Sequence, residues 1–342
     1  MQISKELLNY SLFIFFIKNI EFDLWHGYNW LINEKRSVVM IKAVLRIIIA
    51  ILMAINPQLC EFLDLAKPAQ GQTFDMSKFE LVWEDEFEGT ELDRSKWGFS
   101  WWITERKGGY WHEDMVSVKD GNLVIRAEYL DEPLENYYLD SGIDMPEYKP
   151  GWYTGKVTTR GLHEWLYGYF EVRCILPAAT GMWSAFWFMN EGVYNVDNSG
   201  EDGTEIDVFE SFYYKDNWWG NDAISTGIHY DGYDEKTHHG EAVGKFFIEN
   251  NPYEEYNTYG VEWNENEYIF YINGVETART STGGVSKNPE YILLSCEFAG
   301  ENGVQFSDRH GTGEISKTPD ENWPAEFKVD YVKCYQYKDK LK

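Results

Sequence analysis

The chain has 342 residues, and its 57 acidic against 30 basic side chains give a formal net charge of −27. That balance argues against nucleic acid or an anionic membrane surface as partners, since both are bound through basic patches. It is compatible with a neutral polymer and weighs against a heavily sulfated one unless a local basic patch overrides the total.

Residues 1–75 read as a leader. Leu12–Ile17 and Ile47–Ile55 are apolar runs, each well short of the ~20 residues that span a bilayer. From Met40 the pattern is that of a secretory signal: Lys42 and Arg46, an apolar middle, then Ala69-Gln70-Gly71 with small residues flanking a cleavage point. A signal peptide over 40–71 is expected, with the residues before Met40 outside any structure. The product is then secreted or held at the cell surface, with no stable membrane insertion; an uncleaved anchor is the alternative. Cys60 lacks a good lipobox, because Pro57-Gln58-Leu59 precedes it. The other cysteines, Cys174, Cys296 and Cys334, form neither a disulfide framework nor a zinc motif. They are expected to be buried thiols, with at most one bridge.

Residues 76–342 form the second domain. Short alternating runs recur between turn signals: Leu81–Phe87, Leu123–Tyr129, Tyr169–Leu176, Ile224–Tyr230, Tyr268–Ile272, Tyr291–Phe298 and Phe327–Tyr335. Asp120-Gly121-Asn122 and Asn273-Gly274 are hairpin turns. Many short strands with few helical periods predict an all-β sandwich of two antiparallel sheets. Asn136–Trp152 and Asn190–Gly203 are long, polar, aromatic-bearing loops of the kind that bind ligands, and the second leads into the most informative stretch.

That stretch is Thr204–Ser211, Thr-Glu-Ile-Asp-Val-Phe-Glu-Ser. In a regular strand Glu205 and Asp207 share a face and Glu210 points into the core. All three face one cleft only if an extra residue is inserted at Val208 or Phe209, as in a β-bulge. The two Glu Cα atoms then lie roughly 13 Å apart, and side chains leaning together over Asp207 approach the about 5–5.5 Å that a retaining glycosidase uses. Ordinary surface acids are the bland reading; the apolar and aromatic flanks argue against it. Three carboxylates on one face cannot all ionise cheaply, so at least one pKa should rise, which suits Glu210 as a proton donor.

Trp183 and Trp187 share a strand face by parity. Trp187 is read chiefly as core but is kept as a binding candidate; the acidic motif's resemblance to glycoside hydrolase family 16 makes Trp183 a candidate stacking platform. His229 is expected on the strand beside the acidic one, within reach of the carboxylates or the substrate. His238-His239 reads as loop surface. Trp101, Trp102, Tyr110 and Trp111 form an aromatic cluster, and the same resemblance makes Trp111 a binding candidate.

The acidic motif and its flanks resemble glycoside hydrolase family 16. Trp152–Arg160 (WYTGKVTTR), Tyr167–Pro177 (YGYFEVRCILP), Gly181–Trp187 (GMWSAFW) and Phe327–Tyr335 (FKVDYVKCY) carry the resemblance, which extends over about Phe79–Tyr337. It implies a concanavalin-like β-jelly roll with a cleft across its concave sheet. It also implies retaining endo-cleavage of β-linked glucans or galactans, with Glu205 as nucleophile, Glu210 as acid/base and Asp207 assisting. No catalytic cofactor is implied. A structural calcium is, and its matching positions are Glu88, Gly121 and Asp330, whose oxygens would suit a hard cation.

Two departures bear on substrate. Lys107–Asp114 (KGGYWHED) differs from the run usual in β-1,3-glucanases, and Ser184 replaces a Pro often found after the Trp of the GMWSAFW-like segment. A monomeric endo-β-1,3- or β-1,3-1,4-glucanase is the leading expectation. An endo-β-galactanase of agarase, carrageenase or endo-β-galactosidase type is the alternative, for which Arg106, Lys107 and Arg160 are the available basic residues. A non-catalytic carbohydrate-binding protein would typically have lost the acidic motif.

Overall fold

The computed structural model describes residues 44, 66–69, 71–99, 105–106, 109–137, 147–213, 223–298, 300–301, 304–305 and 322–341. The chain divides into two units, Met1–Leu59 and Cys60–Lys342. Of the first only Val44 is described, so most of the expected signal peptide, with Cys60, lies outside the described residues.

Two large sheets dominate the second unit, one of seven strands and one of eleven among the described residues. The seven-stranded sheet runs Lys67–Pro68, His239–Phe247, Ala223–Tyr230, Glu205–Phe212, Met182–Met189, Tyr291–Phe298 and Lys156–Thr158. The other sheet is centred on Ala325–Tyr337, flanked by Gly168–Ile175 and Asn122–Leu130. The expected strands are therefore present, two of them with the boundaries read from sequence, Tyr268–Ile272 and Tyr291–Phe298.

Alternation places the core between the sheets. On Met182–Met189, Phe186 and Phe188 point inward and Trp183, Ala185 and Trp187 point outward; on Tyr291–Phe298, Ile292, Leu294, Cys296 and Phe298 point inward. The layers meet ring against ring, as in Phe209 on Tyr259 at 4.5 Å and Phe170 on Phe188 at 4.9 Å. Tyr291–Phe298 is buried along its whole length because its outer face is covered too. Asp120-Gly121 and Asn273-Gly274 close two-residue hairpins with both residues at positive φ, as primed turns require. Cys174, Cys296 and Cys334 are buried free thiols.

The packed unit begins before residue 76. Lys67–Pro68 pairs in parallel with Phe246–Phe247, and Ala66 is buried. The Gly71 N–H donates to the Glu276 carbonyl at 2.9 Å, and Phe74 stacks on Tyr169. Cleavage after Gly71 would remove the edge strand Lys67–Pro68.

Candidate active site

The site is built on the strand Glu205–Phe212. Asp207 pairs with Trp187 and Phe209 with Phe186, which leaves Val208 as the extra residue on that side. On the other side Asp207 faces Gly227 and Glu210 faces Ser225. The Thr226 hydroxyl donates to the Val208 carbonyl at 3.1 Å, giving the bulge a hydrogen bond that the ladder does not. Ile206, Val208 and Phe209 enter the core, and the bulge turns Glu205, Asp207 and Glu210 to the opposite face.

His229 lies directly across from Glu205 in the strand register. Its Nε2 is 3.3 Å from Asp207 Oδ2 and its Nδ1 is 2.9 Å from His238 Nε2. The two imidazoles stack at 5.0 Å. Gly240 makes this possible, because a Cβ there would sit 2.6 Å from His229 Nδ1. Burial alone would lower the His229 pKa, but the Asp207 hydrogen bond and the charges of Asp207, Glu205 and Glu210 outweigh it and bring it to about 9. His238 moves the other way, lowered by burial and by the neighbouring imidazolium. A charged His229 therefore donates from both nitrogens, to Asp207 and to neutral His238.

Burial raises the Glu210 carboxyl well above its ordinary range; the charges of Asp207, Glu205 and Glu297 add to this and that of His229 opposes it. Asp207 is only 4% exposed. One face thus holds a protonated carboxyl, a buried carboxylate beside an imidazolium, and Glu205. That set suits proton donation to a leaving group paired with attack by a carboxylate. Ligand atoms of Glu205, Asp207 and His229 lie within 4.8 Å of one another, close enough to share a cation. A metal there would have to displace the His229 proton.

The tryptophans divide. Trp183 is half-buried on the cleft face and stacks on Phe212 at 4.9 Å. Trp187 lies beneath Asp207, buried, with its indole N–H on the Ser295 hydroxyl at 3.1 Å, and forms the floor with Ala185 and Leu293. Trp111 departs from the expectation of a sugar-binding ring. It is 5% exposed, its indole N–H donates to the Cys296 carbonyl at 2.6 Å, and the Lys156 ammonium lies 4.0 Å over the ring. Its aromatic face is taken by a cation.

Of the residues matching a calcium set, Asp330 lies at a register break in its strand and binds Arg173 at 2.5 Å. Glu88 is exposed and Gly121 is a turn residue at φ 72°.

Four residues with no local sequence signal complete the surroundings. The Tyr233 hydroxyl donates to Glu205 Oε2. His238, read as loop surface, caps His229. Glu297 is buried on the cleft face across from Trp183. Glu290 is fully buried; its Oε1 accepts from Thr204 N–H at 3.1 Å and lies 3.5 Å from Asn190 Nδ2, and burial pushes its pKa up to about 8. It anchors the start of the acidic strand.

The domain family described as "Beta-porphyranase A-D, GH16 domain" matches residues 81–337. Endo-1,3-1,4-beta-glycanase ExsH of Rhizobium meliloti is 26% identical over 288 residues, 77% of this chain and 53% of that protein. Beta-porphyranase B of Zobellia galactanivorans is 30% identical over 260 residues, 72% of this chain and 82% of that protein. The chain spans only 53% and 38% of the first two curated relatives, ExsH and glucan endo-1,3-beta-glucosidase A1 of Niallia circulans. The crystal structure of SCLam, titled a non-specific endo-beta-1,3(4)-glucanase from family GH16, superposes with a TM-score of 0.58 at 25% identity, covering 80% of this chain and 96% of that one. The two-sheet fold, the bulged acidic strand and a match over three-quarters of the sequence agree, and the chain belongs to glycoside hydrolase family 16.

Proposed function

We propose that the chain is a secreted, retaining endo-β-glycosidase with Glu205 as nucleophile, Glu210 as acid/base and Asp207 as its assistant. The observation that carries this is the bulge at Val208, which turns all three carboxylates to one face. In the first step the Glu205 carboxylate attacks the anomeric carbon as the glycosidic C–O bond breaks and the Glu210 proton passes to the leaving oxygen. In the second, Glu210 takes a proton from water, whose oxygen displaces Glu205 from the sugar. Asp207, held by His229, places negative charge beside Glu210 and so helps that carboxyl keep the proton it must deliver. The scheme needs no cofactor.

A β-1,3- or mixed β-1,3-1,4-glucan is the substrate favoured by the cleft's charge. Four acids, Glu205, Asp207, Glu210 and Glu297, line the face, while the basic Arg160 is paired with Glu191 at 2.5 Å and Lys156 is buried on Trp111. A porphyran-type galactan is the second reading, favoured by the porphyranase domain match and the 30% identical porphyranase.

The test is oligosaccharide release from laminarin, lichenan, porphyran, agarose and a mucin-type glycan, by the wild type, Glu205→Gln and Glu210→Ala. Loss of at least about 100-fold is expected in both variants, with Glu210→Ala recovering activity on substrates bearing an activated leaving group. Release with inverted anomeric configuration, or full activity in Glu205→Gln, would overturn the assignment.

A further inference from the structure

The geometry points to Tyr233 as a further catalytic residue, whose hydroxyl holds the nucleophilic carboxylate of Glu205 through both steps; this rests on the glycosidase reading above. Tyr233 lies outside the acidic strand and outside every motif that marks the family resemblance, three residues past the histidine strand Ala223–Tyr230. Its O–H donates to Glu205 Oε2.

The turn that delivers it is built for placement. Asp231 and Gly232 both adopt positive φ, 62° and 74°, reversing the chain directly after the strand. The Gly232 N–H donates to the Val193 carbonyl at 2.6 Å, and buried Asp231 Oδ1 accepts the N–H groups of Asp197 and Asn198 at 3.0 and 3.1 Å. The turn is thereby fastened to the loop that leads into Glu205, so hydroxyl and carboxylate are positioned by one hydrogen-bonded unit. The ring is flanked on two sides, by Tyr194 edge-on at 5.7 Å and by His238 stacked at 5.8 Å. His238 in turn stacks on His229, which binds Asp207. The ring is 47% exposed although its hydroxyl is committed inward. Burial and the Glu205 charge push its pKa far above the ordinary tyrosine value, which favours the protonated, donating form.

A donor on one carboxylate oxygen does two things. It orients the group for attack, which favours the near-attack geometry. It also stabilises the carboxylate that re-forms when water releases the sugar, without itself losing a proton. Glu205 is also faced by Asp207 and Glu210 on its own strand, His229 across the register and Glu290 behind; Tyr233→Phe leaves all of these in place, together with the stacking on His238.

The experiment compares wild type with Tyr233→Phe on laminarin and on porphyran, recording kcat and kcat/KM from pH 4 to 10. In parallel, the carboxyl of Glu205 is titrated by NMR in ¹³C-glutamate-labelled protein, assigned with Glu205→Gln. The expected result is a kcat at least about tenfold lower and an acidic limb of kcat/KM displaced upward by about one pH unit, the size of one charged hydrogen bond. The Glu205 titration should move with it, at unchanged melting temperature. Equal kcat, equal acidic limb and equal carboxyl titration would overturn the proposal. If the wild type cleaves none of laminarin, lichenan, porphyran, agarose and the mucin-type glycan, the glycosidase reading is what fails, and the carboxyl titration alone decides the Tyr233–Glu205 contact.

Discussion

At the scale of single residues, the site is a set of charges whose neighbours decide their protonation. Asp207 and His229 form one such pair. The His229 pKa of about 9 lies above the ordinary 6.5, so the proton it holds in the folded protein stabilises the fold. That contribution is complete below about pH 6.5 and is lost as pH rises through 9. It is worth on the order of 3 kcal/mol, or up to roughly 10 °C in melting temperature for a domain of this size. The wild type should therefore melt well above His229→Asn at pH 6, and the gap should narrow steadily between pH 7 and 10. Thermal melts across that range check it. A gap independent of pH would mean that His229 is neutral and that its contact with Asp207 is not an ion pair.

At the scale of elements, the bulge decides which face Glu210 meets. Deleting Val208 alone would leave Glu-Ile-Asp-Phe-Glu, a strictly alternating run that keeps Phe209 inward and all three acids on the cleft face. Deleting Val208 and Phe209 together would turn Glu210 inward, toward the Tyr259 and Phe327 rings against which Phe209 packs. A buried carboxyl with no partner and a lost core ring each cost several kcal/mol. The double deletion should abolish activity and either unfold the chain or lower its melting temperature by more than about 10 °C. Val208→Ala, which keeps the register, should lose only about 1–2.5 kcal/mol and keep most activity. A double-deletion variant with wild-type turnover would show that the strand register does not position Glu210. The bulge itself was legible in sequence, because acids at 205, 207 and 210 share a face only through an insertion. What lay opposite was not. Tyr233, His238, Glu290 and Glu297 reach the site through strand register and turn closure, which no local pattern encodes. The setting of Trp111 was hidden for a related reason: an indole reads the same whether it faces solvent or, as Trp111 does, packs under a lysine. Arg173, which binds Asp330 from a neighbouring strand, was equally invisible in the local sequence.

At the scale of the whole molecule, two stacked sheets leave edges, and an exposed edge is a liability for pairing with other chains. The segment ahead of residue 76 covers one edge of each. Lys67–Pro68 extends the seven-stranded sheet beside His239–Phe247. A few residues later, Gly71 N–H to the Glu276 carbonyl, Glu276 N–H to the Gln72 carbonyl and Phe74 N–H to the Gly274 carbonyl tie the chain to the hairpin at the edge of the other sheet, at 2.8–2.9 Å. Phe74 then inserts among Tyr169, Phe79 and Tyr271. Residues 67–68 and 71–74 thus act as a clasp across the two layers. The ring contributes about 1.5–3 kcal/mol and each hydrogen bond about 0.5–1.5 kcal/mol. A chain beginning at residue 76 should therefore melt roughly 5–15 °C below one beginning at residue 60. It should also aggregate sooner, since both edges are then open. Differential scanning calorimetry with light scattering on the two chains checks this. Identical melting and identical scattering would place the start of the functional domain after Phe74 and return the clasp to the leader.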